Sequence, residues 1–140
     1  MSKSNPVQSY LSYSLATAHR KVHGSLSRRL KEFNVQVEAW RVMEILESGT
    51  DMTMGDLAEA VLMNPPTLTK LVDRMVSDGI VHRRMASIDQ RQVNLVLTDL
   101  GQKRVGQIRE QARLEDDEIL DKIGVENADL LHRILGELVK

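Results

Sequence analysis

The sequence predicts a mainly α-helical fold carrying one small β-hairpin, an α+β arrangement in which helices precede and follow two short strands. Three observations predict it. Apolar residues recur every three or four positions along most of the 140 residues, the period of a helix with one buried face. That period switches to alternation once, after Gly79, and returns at Thr98. The proposed helix ends carry capping residues, with Thr53, Asn64 and Thr98 at starts and Gly49, Gly79 and Gly124 at stops.

Val7, Leu11, Leu15, Ala18, Val22, Leu26, Leu30 and Phe33 keep helical spacing for about seven turns, with a stop at Asn34. A helix that long in so short a chain is expected to pack on a second subunit as well as on its own domain. A second helix is predicted from Val37 to Glu47, with Trp40, Met43 and either Ile45 or Leu46 inward, ended by Ser48 and Gly49. Thr53 begins a third, three residues before Asp56, close to a capping box. Its apolar face is Leu57, Ala58 and Val61. Met63 and Asn64 then turn the chain. Asn64 is a good N-cap, and Pro65 and Pro66 fall in a first turn, where an N–H has no helical partner. This fourth helix is predicted to run to about Ser77, with Leu68, Leu71, Val72 and Met75 inward.

Ile80 to Met85 and Val93 to Leu97 read as the two strands, joined by a polar tip from Ala86 to Gln92. Thr98 caps a fifth helix reaching about Ile123, with a sparse apolar face. Gly124 breaks it. Asn127 is expected to cap a last helix with Leu131, Leu135 and Leu138 on one face and Leu130 and Ile134 beside it.

Composition closes off other classes. The chain has no cysteine, so disulfides, thiolate metal sites and thiol redox sensing are excluded. The longest apolar run is four residues, Ala60 to Met63, and the first thirty residues hold no signal-like stretch. A cytoplasmic protein with no membrane partner is expected. The net charge of −1 conceals an uneven spread. Residues 1–98 carry 12 basic and 10 acidic side chains, whereas 99–140 carry 7 and 10. No phosphate loop, paired carboxylates or Ser–His arrangement stands out, so no enzyme activity and no cofactor are predicted. His19 and His23 have the i, i+4 spacing of shared metal ligands, but the sequence offers no third ligand and no metal is predicted.

Two short helices joined by a tight turn and followed at once by a hairpin form the plan of a winged helix-turn-helix. The fourth helix would show Thr67, Thr69, Lys70, Asp73 and Arg74 opposite its apolar face. Short hydroxyls and long cations at the amino end of such a helix suit a major groove, where Lys and Arg reach phosphates and base edges. At the hairpin tip, Arg91 suits a narrow minor groove of negative potential, and Asp89 can hold its guanidinium in one orientation. Double-stranded DNA is the partner these features predict. The competing description is an ordinary solvated helix beside a solvated turn, which fits either feature alone better than both together.

Asp89-Gln90-Arg91 followed by Val93-Asn94-Leu95-Val96-Leu97-Thr98-Asp99-Leu100-Gly101 resembles the wing and following helix start of the multiple-antibiotic-resistance regulator (MarR) family. Leu71-Val72-Asp73-Arg74-Met75, then Asp78-Gly79-Ile80-Val81, resembles that family's recognition helix and its exit. Trp40-Arg41-Val42-Met43 resembles the segment leading into its helix-turn-helix. The wing pattern is the specific part, because many families share the helix-turn-helix alone. Pro66 departs from the pattern, which more usually has a small polar residue there, and removes one N–H that could meet a phosphate.

The resemblance implies a homodimeric transcription regulator, expected to repress from an inverted-repeat operator with half-sites about one helical turn apart. It implies a DNA-binding lobe over residues 35–99, with residues 1–34 and 100–140 forming a dimerisation layer. Thr67, Thr69, Lys70 and Arg74 would face the major groove. Arg84, Ser87 and Arg91 would serve the wing, with Asp89 orienting Arg91. It further implies release by a small aromatic carboxylate or phenol held between the two regions. Tyr10, Tyr13, His19 and Trp40 are the candidates to line that pocket, with Arg41 or Arg20 to meet a carboxylate. Aromatic residues at helical spacing are more often packing, which would leave Trp40 in the core and the tyrosines at an interface. The alternative function is a helical interaction adaptor that has kept the fold without DNA binding, although such a protein has no need of a cationic wing.

Overall fold

The computed structural model describes residues 6–49, 52–84 and 92–140. A 3-10 turn at Pro6–Ser9 leads into α1 (Leu11–Lys31), α2 (Val37–Ser48), α3 (Met54–Ala60) and α4 (Pro65–Ser77). Two strands follow, β1 (Val81–Arg83) and β2 (Leu95–Leu97), then α5 (Asp99–Ile123) and α6 (Val125–Leu138). The result is the mainly α arrangement with a small hairpin that the hydrophobic periods predict.

The winged lobe is held by one apolar cluster. Val37, Val42 and Met43 of α2 meet Leu57 of α3 and Val61 at its end, Leu68, Val72 and Met75 of α4, and Val81 and Leu95 of the strands. Leu30 of α1 and Val105 and Ile108 of α5 enter the same cluster, so both long helices are anchored to the lobe. Burying side chains of this size contributes about 1.5–3 kcal/mol each. The strands pair antiparallel, Val81 with Leu97 and Arg83 with Leu95. Thr53 forms an additional antiparallel bridge with Gln92, and the Val93 amide donates to the Met52 carbonyl over 2.9 Å. The returning arm of the hairpin is therefore stitched to the segment entering α3.

Local capping follows the sequence in most places. Thr53 and Asp56 close a reciprocal capping box, at 3.0 and 3.3 Å. Thr98 Oγ1 accepts from the Gly101 amide at the start of α5, and its hydroxyl lies 2.6 Å from the Gly79 carbonyl.

Two expected boundaries are corrected. The first helix begins at Leu11 and not Val7, because Tyr10 is extended (ψ 136°) and separates the 3-10 turn from α1. The last helix is not capped by Asn127. Gly124, at φ 87°, takes the N-cap position, and the Asn127 side-chain Nδ2 donates backward to the Ile123 carbonyl at 2.8 Å. A positive φ combined with an extended ψ of 155° is a conformation open to glycine, and it turns the chain so sharply that α6 starts at once.

Between α1 and α5 lies an ionic network. Glu115 is only 6% exposed, and it accepts from Arg29 Nε at 2.6 Å and from the Ser25 hydroxyl at 2.9 Å. Arg29 also bonds Glu118, and Arg104 donates to the Phe33 carbonyl. Arg109 of α5 reaches α2, bonding Glu44 and Glu47, and these bonds raise its guanidinium above its ordinary value against the effect of burial.

α6 is different. Ala128 is its buried residue, whereas Leu130, Leu131, Ile134, Leu135 and Leu138 are exposed. Leu11, Leu15 and Val22 of α1 are exposed too. No described helix is long and apolar enough to cross a membrane.

Candidate nucleic-acid interface

The turn between α3 and α4 sets how α4 is presented. Leu62 takes a left-handed conformation (φ 63°) and is largely exposed. Asn64 Oδ1 accepts from the Thr67 amide at 2.9 Å, and Pro65 and Pro66 occupy the first two helical positions. Two of the amides that a helix start would offer are thus absent, and a third is bonded. What the amino end of α4 presents is side chains.

Those side chains lie on one face. Leu68, Val72 and Met75 are buried against the lobe, while Thr67, Thr69, Lys70, Asp73 and Arg74 are exposed. The Thr69 hydroxyl donates to the Pro65 carbonyl at 3.0 Å, which fixes its rotamer and leaves the oxygen as an acceptor. Arg74 Nε stands 4.0 Å from Asp78, a loose exposed pair. At the far end Asp78 is the C-cap and Gly79, at φ 76°, reverses the chain. The Ile80 and Gly79 amides donate to the Met75 and Val76 carbonyls at 3.0 and 3.1 Å. This paired closure leads directly into β1, so the hairpin projects from the carboxyl end of α4.

Arg84 is exposed beyond β1, and its amide is fixed by the Asn94 carbonyl at 2.9 Å. Ser87, Asp89 and Arg91 of the expected tip lie outside the described residues. Sequence reasoning missed Arg83. Its guanidinium donates to Asp73 on α4 at 2.5 Å, joining helix to hairpin. The sequence shows only two charges ten residues apart; strand register brings them together.

A hollow of about 490 Å³ opens between α1, α2 and α4. His23, Ser27, Glu38, Met43, Leu71 and Arg74 are among its walls. His23 Nε2 lies 3.0 Å from Glu38 Oε1, and Ser27 is 3.4 Å from the other ring nitrogen. Burial alone would push the Glu38 carboxyl up; its own backbone amide, His23 and Arg41 outweigh that and hold it below its ordinary value.

None of the residues expected to bind an effector lines this hollow. Tyr10 and His19 are exposed, and Tyr13 borders a shallow depression along α1 with Lys21. The Trp40 indole donates to Glu44 at 3.0 Å, and Arg41 is half-buried on α2. The rings of His19 and His23 are 5.2 Å apart, and no third ligating group completes a metal cluster among the described residues.

The sequence pattern of the MarR family matches residues 36–93. The "HTH-type transcriptional regulator FarR" of Neisseria gonorrhoeae is 33% identical over 111 residues, 79% of this chain and 76% of that one. The "Homoprotocatechuate degradative operon repressor" of Escherichia coli is 29% identical over 110 residues, covering 79% of this chain and 74% of the repressor. Among solved structures, NadR in complex with 4-hydroxyphenylacetate superposes with a TM-score of 0.76 at 29% identity, over 100% of this chain and 96% of NadR.

Proposed function

From the MarR family, to which this chain belongs, we infer that the protein is a transcription regulator that binds double-stranded DNA. The observation that carries this reading is the two-sided α4, buried through Leu68, Val72 and Met75 and presenting Thr67, Thr69, Lys70 and Arg74 beside the hairpin. Lys70 and Arg74 supply cations for phosphates and guanine edges, and the threonines supply short polar contacts. Arg84, Ser87 and Arg91 serve the wing, with Asp89 orienting Arg91. The lobe over residues 35–99 meets DNA, and residues 1–34 and 100–140 pair two copies.

The exposed apolar face of α6 supports the homodimer. Leu131, Ile134, Leu135 and Leu138 recur at helical spacing and are exposed, without cover among the described residues. A two-fold dimer reads an inverted repeat. Repression is the mode we assign, as the name of the Escherichia coli relative states for that protein. The effector we assign is a small aromatic carboxylate or phenol, the chemistry that NadR holds as 4-hydroxyphenylacetate. Tyr10 just before α1, Tyr13 and His19 on α1, and Trp40 and Arg41 on α2 are its proposed contacts, on stretches that a second copy would help to enclose.

A mobility-shift assay on the DNA upstream of the protein's own gene tests the central claim. A retarded complex that weakens steeply with salt is expected, because phosphate binding releases counterions. Absence of any shift at low salt overturns it.

A further inference from the structure

Asp73 is an unexpected residue to find on this face. It lies one turn beyond Thr69 and Lys70, on the side of α4 assigned to DNA, and a carboxylate there repels every phosphate that comes near. It is not buried and it caps nothing. Its partner is Arg83, the last residue of β1, whose Nη2 donates to Asp73 Oδ1 at 2.5 Å. Both side chains stay more than half exposed, at 57% for Arg83 and 61% for Asp73. An exposed pair contributes little to folding. Its position points elsewhere, since it spans the joint between the helix and the hairpin that would enter different grooves.

The chemistry of the pair is asymmetric. A guanidinium carries five N–H donors in a rigid plane, and the bond to Asp73 is made through Nη2. The remaining edge is free to meet a phosphate while Asp73 holds the plane in one orientation. On DNA lying out of register, the same carboxylate cancels the attraction that a lone Arg83 would exert.

We propose that Asp73 is a positioning and specificity-determining residue. It aims the Arg83 guanidinium at one backbone phosphate and suppresses binding to DNA in any other register. This rests on the DNA-binding reading above. Affinity and discrimination then move in opposite directions when Asp73 is neutralised, which a purely structural ion pair would not produce.

The test uses the full chain and two duplexes of equal length, one selected by the wild type from a random pool and one of scrambled sequence. Binding is followed by fluorescence anisotropy over a salt series. Asp73→Asn should bind the scrambled duplex about fivefold more tightly, the effect of removing one unit charge at near-contact distance in water, and the selected-to-scrambled ratio should fall at least as much. Arg83→Ala should weaken both duplexes and reduce the salt slope by about one per protomer. Arg83→Lys keeps the charge and the slope but should lose discrimination, because an ammonium lacks the planar fork. The readout is a ratio on one protein sample, so a partly unfolded variant leaves it unchanged. Equal tightening on both duplexes by Asp73→Asn, or a wild-type ratio in Arg83→Lys, overturns the proposal. A wild type that enriches no sequence from the pool overturns the DNA-binding reading itself, and this proposal with it.

Discussion

Gly101 packs so closely on the Ile80 carbonyl that a Cβ at position 101 would stand 2.2 Å from that oxygen and 3.1 Å from a Leu97 methyl. The first turn of α5 thus lies directly against the chain leaving α4. Gly101→Ala should force the two apart and destabilise the fold by about 1–3 kcal/mol. Urea denaturation at fixed protein concentration checks this, and an unchanged midpoint would refute the close approach.

Glu115 should behave as a buried structural carboxylate. Glu115→Gln retains the shape but loses the charge-assisted bonds from Arg29 and Ser25, and a loss of roughly 1–3 kcal/mol is expected. Glu118→Gln, at an exposed position of the same network, should change stability much less. Equal effects from the two variants would contradict the burial of Glu115.

Acid stability should depend on Glu38. Its carboxyl titrates below its ordinary 4.5, so its contribution is fully present above that value and is lost as pH falls through the lowered one. Stability of the wild type should therefore decline as pH drops below about 4.5, and Glu38→Gln should flatten that part of the curve. Thermal melts between pH 3 and pH 7 decide it. Parallel curves for the two proteins would count against the lowered carboxyl.

The face of α4 makes two kinds of contact in the proposed complex. Lys70→Ala should weaken binding to all duplexes and flatten the salt dependence, the signature of a phosphate contact. Arg74→Ala should cost about 1–3 kcal/mol on the preferred duplex if Arg74 reads a guanine, with a smaller loss on others. Equilibrium binding on matched duplexes separates them.

α6 gives a direct test of the dimer. Ile134→Glu places a charge in the exposed apolar stripe and should yield a monomer in sedimentation with the winged lobe still folded. A dimer that survives this substitution would place the interface elsewhere.

What the sequence made legible is what lies close along the chain. Thr53 with Asp56, Asn64 with Thr67 and Thr98 with Gly101 are each three residues apart, and capping chemistry alone identifies them. The exposed threonines and cations of α4 follow equally from helical period. The bridge from Thr53 to Gln92, the Asp73–Arg83 pair and the reach of Arg109 to α2 depend on how separate elements pack. A charge pattern read one residue at a time carries no such distances. Glu115 shows this best, because it lies within the run Glu115-Asp116-Asp117-Glu118 and only packing tells which carboxylate is buried. His23 differs from His19 for the same reason: one helical turn decides which ring reaches the hollow between the lobe and α1.

Thr98 stands where the end of α4 meets the start of α5. Its oxygen caps α5 and its hydroxyl lies 2.6 Å from the Gly79 carbonyl at the exit of α4, so a side chain as well as the backbone ties the start of the long helix to the end of α4. With 25 residues, α5 extends about 37 Å from Thr98, and Val105 and Ile108 fix its first half to the lobe. At that length a tilt of only about five degrees about the far end of α5 carries Thr98, and the lobe fixed to it, roughly 3 Å, about one base-pair step. By the same leverage, a small adjustment where two subunits pack would change the spacing between two winged lobes by an amount that DNA bound in the proposed way can sense.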